Sequence, residues 1–509
     1  MIGLSVILQA AWLAVLVGGV YRRYFHPLSR YPGPFLASIT NLWRFFDFFA
    51  GQHHLTEAGL HKKYGPVVRI GPNSLSFSSL ADFDAIYGYN RNIEKGDFYS
   101  FGRQKASDAS IFSARSDAAH KEHRKKVVGP ALSTSKIITY HPVVKKNVAN
   151  FLGKIARARG PGNEDGTVEI SELVHAFTFD TTLEIVFGRT LSADAYTDTQ
   201  PAKGLLSSFN KISKFSIGTA LLPWLQWTMS HPKIQAAIRK PKFDSEGTMI
   251  GIGALVSKTR RAVTSEPGRQ EASEDEQASI LQNFLRIPKD DSRWMDPELM
   301  WRECFNLVFA APGSTAAALT ATLYELAAHQ EWQERIYHES LMTEKEASDV
   351  SPPPLLTAVL KESMRLHVPF PSAFPRDITA GAESAIPSLS GHPLPLGTTV
   401  QANAFVLSHS ADLWGDDVEE WRPERFLSDP NRQMNETPKT ESPSAEEKFV
   451  VFSKGARGCV GKEIALMLLA EAVAAIIKQW RIEKRGGMKG RSFLEMQYQS
   501  CPIAFLTRS

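Results

Sequence analysis

Three cysteines occur in 509 residues, at 304, 459 and 501, and the surroundings of one of them suit a reactive thiol. Cys459 lies in Phe452-Ser-Lys-Gly455-Ala-Arg457-Gly-Cys459-Val-Gly461, just before an apolar helical pattern from Lys462 to Trp480. A cysteine at a helix N-terminus meets unpaired N–H groups and the positive end of the helix dipole, which favour the thiolate, the form that ligates iron. Gly455 and Gly461 permit a tight turn and a close approach to a flat ligand, and Arg457 offers fixed charge to a carboxylate. A phosphate loop would need Gly at 456 and Ser or Thr at 463, where Ala456 and Glu463 stand. A buried structural thiol in a glycine-rich turn is the remaining alternative, and the commoner fate of a lone cysteine. An odd number of cysteines closes no disulfide framework and suits a reducing compartment.

Three motifs taken together favour the iron ligand. The loop fills every fixed position of Phe-x-x-Gly-x-Arg-x-Cys-x-Gly, Glu362-Ser-Met-Arg365 supplies Glu-x-x-Arg, and Pro423-Glu424-Arg425-Phe426 supplies Pro-Glu-Arg-Phe. With them the chain resembles the cytochrome P-450 family, the haem-thiolate monooxygenases, along nearly its whole length. The resemblance implies haem b with the Cys459 thiolate as axial iron ligand, surrounded by Phe452, Gly455, Arg457 and Gly461. It also implies cationic partners for the two haem propionates: Arg457, Arg376 after Pro375, and Arg124. The last lies in Ala119-His120-Lys121-Glu122-His123-Arg124, where His120 takes the tryptophan position of the family's Trp-x-x-x-Arg. Glu362 and Arg365 lie one helical turn apart, so they can pair, with Arg425 completing a structural cluster; a solvated surface pair is the alternative.

On the oxygen side, the family's Ala-Gly-x-Asp/Glu-Thr-Thr corresponds to Ala310-Ala311-Pro312-Gly313-Ser314-Thr315. The acid is missing. Ser314 and Thr315 keep hydroxyls for proton delivery, unless they only bond their own helix carbonyls. Pro312 lacks a backbone donor, so a kink or a water-filled groove is expected. By family position, Tyr99 to Phe101, Phe370, Ala373 and Phe374 line an apolar substrate pocket. The implied reaction inserts one oxygen atom of O2 into an apolar small organic molecule by hydroxylation, epoxidation or a related oxidation. No Gly-x-Gly-x-x-Gly occurs, so electrons must come from a separate NADPH-cytochrome reductase, with cytochrome b5 as a further donor. The entry segment and Phe-Ser-Lys-Gly resemble fungal members of secondary metabolism. Two other readings keep the haem: an isomerase or dehydratase acting without O2 or reductase, motivated by Gly313, and a non-catalytic haem sensor.

These residues need a scaffold, and the pattern supplies one that is mainly α with small β-sheets (α+β). Helical spacing runs through Glu169 to Phe187, Pro297 to His329, Leu355 to Leu366 and Lys462 to Trp480; Val67–Ile70 and Ser74–Phe77 flank Gly71-Pro72 as a hairpin. Residues 2–20 are uncharged and apolar, and at helical rise span roughly 28 Å, enough for one membrane crossing. Arg22 and Arg23 follow, which keeps the catalytic domain cytosolic on an endoplasmic reticulum membrane. Residues 21–34 read as a basic, proline-rich hinge, and 35–509 as a single haem-thiolate domain. Polar loops are expected at 160–167, 264–279 and 428–448, the last with an unused glycosylation sequon at Asn435. A net charge of +4 provides no field for nucleic acid.

Overall fold

The structure, a computed structural model, describes residues 2–89, 93–100, 109–160, 165–188, 214–215, 218–229, 231, 233–234, 279–342, 352–383, 385–389, 392–427 and 443–508. Helices that position the site are α1 (Ile2–Val20), α2 (Asp117–Ala131), α3 (His141–Ala158), α4 (Ile170–Phe187), α5 (Pro297–Ala328), α6 (Pro354–Leu366) and α7 (Lys462–Gln479). The four helices expected from spacing are present, with ends within a residue of those predicted. Asp296 caps α5 by accepting from the N–H groups of Glu298 and Leu299, and Pro297 occupies the first turn, where a missing N–H costs nothing.

The long α5 runs through the middle of the molecule, packed along α4 and touching α6 and α7. Leu319, Leu323 and Leu326 of α5, Leu183 of α4 and Ile476 of α7 are fully buried in one core. Each such side chain contributes about 1.5–3 kcal/mol relative to exposure. By length and composition α5 would also qualify as a membrane span, but its burial makes it an interior helix.

Among the described residues, ten strands form three small sheets. They are β1 (Val67–Gly71), β2 (Ser74–Phe77), β3 (Ile93–Glu94), β4 (Thr167–Glu169), β5 (Arg376–Ile378), β6 (Thr399–Ala402), β7 (Trp480–Lys484), β8 (Lys489–Ser492), β9 (Met496–Ser500) and β10 (Pro502–Thr507). The largest sheet has the order β1-β2-β6-β5-β3, with only β2 and β6 parallel. The predicted hairpin is present, pairing Val67 with Phe77. A second sheet is β4-β10-β7, and β8 and β9 form a hairpin whose tip is Phe493 to Glu495.

The charged cluster inferred from the motifs is buried. Arg365 and Glu362 make two parallel bonds of 2.8 Å with both side chains at 0% exposure, and Arg425 reaches Glu362 at 3.3 Å. Arg365 also donates to the carbonyls of Ser408 and Val418. Removing one partner would strand a buried charge, so the cluster fixes how α6 meets the segment before the cysteine loop.

Helix α1 shows exposed apolar side chains at Trp12, Leu13, Val15, Leu16 and Val17. Beyond it the chain is fastened to the β1–β2 hairpin. The Arg69 N–H donates to Pro32 O at 2.7 Å, and the Arg69 side chain, 2% exposed, donates to the carbonyls of Arg22 and Pro72. Gly33 is obligatory there, because a Cβ would run into the Arg69 carbonyl. Asn435 and most of the 264–279 and 428–448 loops lie outside the described residues.

Candidate active site

The cysteine loop is held by its own backbone. The Cys459 N–H donates to Phe452 O at 2.9 Å and the Gly458 N–H to Gly455 O at 3.1 Å, while Ser453 and Gly455 adopt positive φ of 59° and 72°. Gly455 is confined to glycine, because a Cβ there would strike the Tyr87–Gly88 backbone, against which the loop lies. Gly461 caps α7, and a Cβ on it would project into open space. Phe452 is half-buried against the core.

Cys459 accepts the backbone N–H groups of Gly461 and Lys462. Burial pushes its thiol up, while those N–H groups and the Lys462 ammonium pull it back. Cys459 is exposed at the N-terminus of α7, so its sulfur is open to a ligand. Ala310 of α5 is likewise exposed, amid buried Val308, Pro312 and Gly313. Among the described residues no cluster of three metal-binding side chains occurs.

Near the loop, buried positive charge accumulates. Arg376, 4% exposed, donates to the Tyr99 hydroxyl at 2.6 Å and to the carbonyls of Phe374 and Pro375. Lys95, 6% exposed, donates to Phe112 O and lies over the Tyr99 and Phe112 rings. Arg457 donates to the carbonyls of Ala114 and Arg115 and pairs at 3.0 Å with Asp117, whose side chain is 60% exposed. Burial first, then Arg376 and Arg457, hold Lys95 well below the ordinary lysine range. Burial, with Arg457 and Lys95 nearby, pushes His120 down to about 3, so it is neutral. Among the described residues neither Lys95 nor Arg376 has a carboxylate partner. Cations gathered this way are costly without anions, and the two carboxylates of haem would supply the missing charge. Arg124 instead donates to Ala456 O at 3.3 Å and braces the loop from outside. Lys95 and Tyr99 complete this group. Lys95 carries no local pattern; its place over the Tyr99 ring, whose hydroxyl accepts from Arg376, reveals it.

Helix α5 continues straight through Pro312. The Ser314 hydroxyl donates to Ala310 O at 3.0 Å and Ala311 O at 3.2 Å, the self-bonding alternative. Thr315 is 7% exposed and makes no hydrogen bond to a described residue. Beside Gly313 the Glu495 carboxyl fills the side-chain space where water was expected. Phe309, Phe98 and Phe370 pack on Phe48, Phe493 and Leu494 as an apolar cluster. Of the expected pocket residues, Phe370 and Phe374 pair their rings at 5.9 Å, Tyr99 joins the Arg376 group, and Phe101 lies outside the described residues. Ala373 lines a cavity of about 260 Å³ with Phe98 and Leu494, and the lining also includes the polar Arg44, Asp47 and His53.

The family model for cytochrome P450 matches residues 32–501. Similar proteins include cytochrome P450 monooxygenase AKT7 of Alternaria alternata, 26% identical over 481 residues that cover 92% of this chain and 87% of that protein. Cytochrome P450 monooxygenase esdpH of Penicillium shearii is 27% identical over 483 residues, covering 92% and 91%. Cytochrome P450 monooxygenase ORF9 of Penicillium roqueforti is 28% identical over 484 residues, covering 92% and 86%. With its cysteine loop, its buried Glu-x-x-Arg cluster and a match over most of its length, this chain belongs to the cytochrome P450 family.

Proposed function

We propose that this protein is a membrane-anchored haem-thiolate monooxygenase of fungal secondary metabolism, inserting one oxygen atom of O2 into an apolar small molecule. The observation that carries the reading is Cys459, exposed at the N-terminus of α7, with Lys95 and Arg376, which have no carboxylate partner among the described residues, gathered near its loop. Haem bound there supplies oxygen activation, with electrons from NADPH through a separate reductase and cytochrome b5 as a second donor.

The chain's own residues divide the remaining work. Cys459 ligates iron, and the N–H groups of Gly461 and Lys462 stabilise its thiolate. Arg376, Arg457 and Lys95 receive the propionates; His120 packs beside them as a neutral ring, and Arg124 holds the loop. Phe98, Phe309, Phe370 and Leu494 offer an apolar surface that binds the substrate and excludes water. Thr315, whose hydroxyl has no partner among the described residues, is a better proton carrier than Ser314, which bonds its own helix. Helix α1 crosses the endoplasmic reticulum membrane once, 21–34 fixes the angle of entry, and 35–509 works in the cytosol. Exposed Trp12, Leu13 and Leu16 support the anchor.

Expression beside a matching reductase, with product analysis, tests this reading. Substrate-dependent NADPH consumption and an oxygenated product are expected. Turnover of a hydroperoxide with no requirement for NADPH would instead identify an isomerase or dehydratase, and binding without turnover a sensor.

A further inference from the structure

Gly313 stands where the corresponding family helix carries a carboxylate, and in this chain another carboxylate has taken the space. The Cβ position of residue 313 coincides with the carboxyl group of Glu495, which reaches α5 from the tip of the β8–β9 hairpin. Only glycine at 313 leaves that room. The tip is anchored on both sides. The Ser492 N–H donates to Gly51 O and the Met496 N–H to Pro369 O, each at 2.8 Å, while Phe493 and Leu494 are buried against Phe48. Backbone bonds and packing, not a mobile side chain alone, therefore aim Glu495 at the helix.

Glu495 is 7% exposed, and its carboxyl group has no hydrogen bond or ion pair with a described residue. A buried structural carboxyl is normally bonded; one held in place with no partner among the described residues is suited to a transient one. Burial, with no neighbouring charge opposing it, pushes Glu495 up to about 8. At neutral pH it therefore carries a proton that it can donate.

We propose that Glu495 is the proton-donating acid of this enzyme, brought by the C-terminal hairpin into the place left empty by Gly313. The proposal rests on the monooxygenase reading, in which α5 borders the oxygen site. In that reaction O2, two electrons from the reductase and two protons give one water and one oxygen atom placed in a substrate C–H bond. Glu495 gives its proton to the oxygen atom that leaves as water, and the carboxylate is reprotonated from solvent.

The test uses the full-length holoprotein as wild type, Glu495→Gln, Glu495→Leu and the exchange Gly313→Glu with Glu495→Ala. One measurement needs no turnover. The infrared C–O stretch of the ferrous carbon monoxide complex senses a donor beside the ligand, and it is expected to shift in Glu495→Leu and return towards wild type in the exchange. The second uses cumene hydroperoxide as probe. Cleavage assisted by an acid yields 2-phenyl-2-propanol, whereas homolysis yields acetophenone. The alcohol-to-ketone ratio is expected to fall at least about tenfold in Glu495→Gln, a modest share of the about 10²–10⁴ that a general acid supplies, and to recover in the exchange. An unchanged ratio in Glu495→Gln overturns the proposal, whether or not the infrared band moves. Because all variants should keep the thiolate-type Soret band, its absence from wild type would overturn the monooxygenase reading instead.

Discussion

Burial, then Arg376 and Arg457, lower the proton affinity of Lys95, and burial, then Arg376, lower that of Arg457, with the solvent-facing carboxylate of Asp117 opposing among the described residues. Such a group destabilises the protein without haem and stabilises the complex with it, so one substitution should act in opposite directions. Arg376→Met is expected to raise the melting temperature of the haem-free protein while speeding haem transfer to apomyoglobin by about ten- to hundredfold, the loss of about 1.5–3 kcal/mol in charged hydrogen bonds. His120 gives a pH signature. Its imidazole is neutral in the fold down to about 3, against an ordinary value of 6.5. Between those values the unfolded chain binds the extra proton, so stability rises with pH across the window, is complete above it, and is lost as pH falls through it. His120→Gln is expected to flatten that slope in chemical unfolding series at successive pH values. At this scale Cys459, Arg376 and Arg457 were legible because each sits in a fixed local spacing. Lys95 and Glu495 were not, since each matters through a neighbour far away in the chain.

Helices and the first hairpin could be read from sequence because apolar spacing and the Gly71-Pro72 turn are local signals, as the bounds of α4 and α7 illustrate. What escaped was how the elements meet. Pro312 pointed to a break in α5, yet α5 continues, and the room beside Gly313 is taken by the Glu495 tip. Gly455 lets the loop lie on Tyr87 and Gly88, a contact between segments far apart in the chain. Gly455→Ala therefore meets both a positive φ, worth about 1–3 kcal/mol, and a backbone collision. Thermal unfolding and haem content should both fall, by more than for Gly461→Ala, whose Cβ enters open space.

For the whole molecule, the Arg69 bonds to Pro32 and Arg22 mean that the folded body begins near residue 22 rather than at the first residue. Deleting residues 1–20 is expected to move most of the protein into the soluble fraction with haem retained. Protease added outside sealed microsomes should digest the full-length body, and protection would reverse the orientation. Everything else hangs on the iron ligand. The most direct test is the visible spectrum of the reduced protein under carbon monoxide, for wild type and Cys459→Ser. The wild type should show the red-shifted Soret band of a thiolate-ligated haem, and Cys459→Ser should lose it while remaining in the membrane fraction; a wild-type band typical of histidine-ligated haem would contradict the assignment of Cys459.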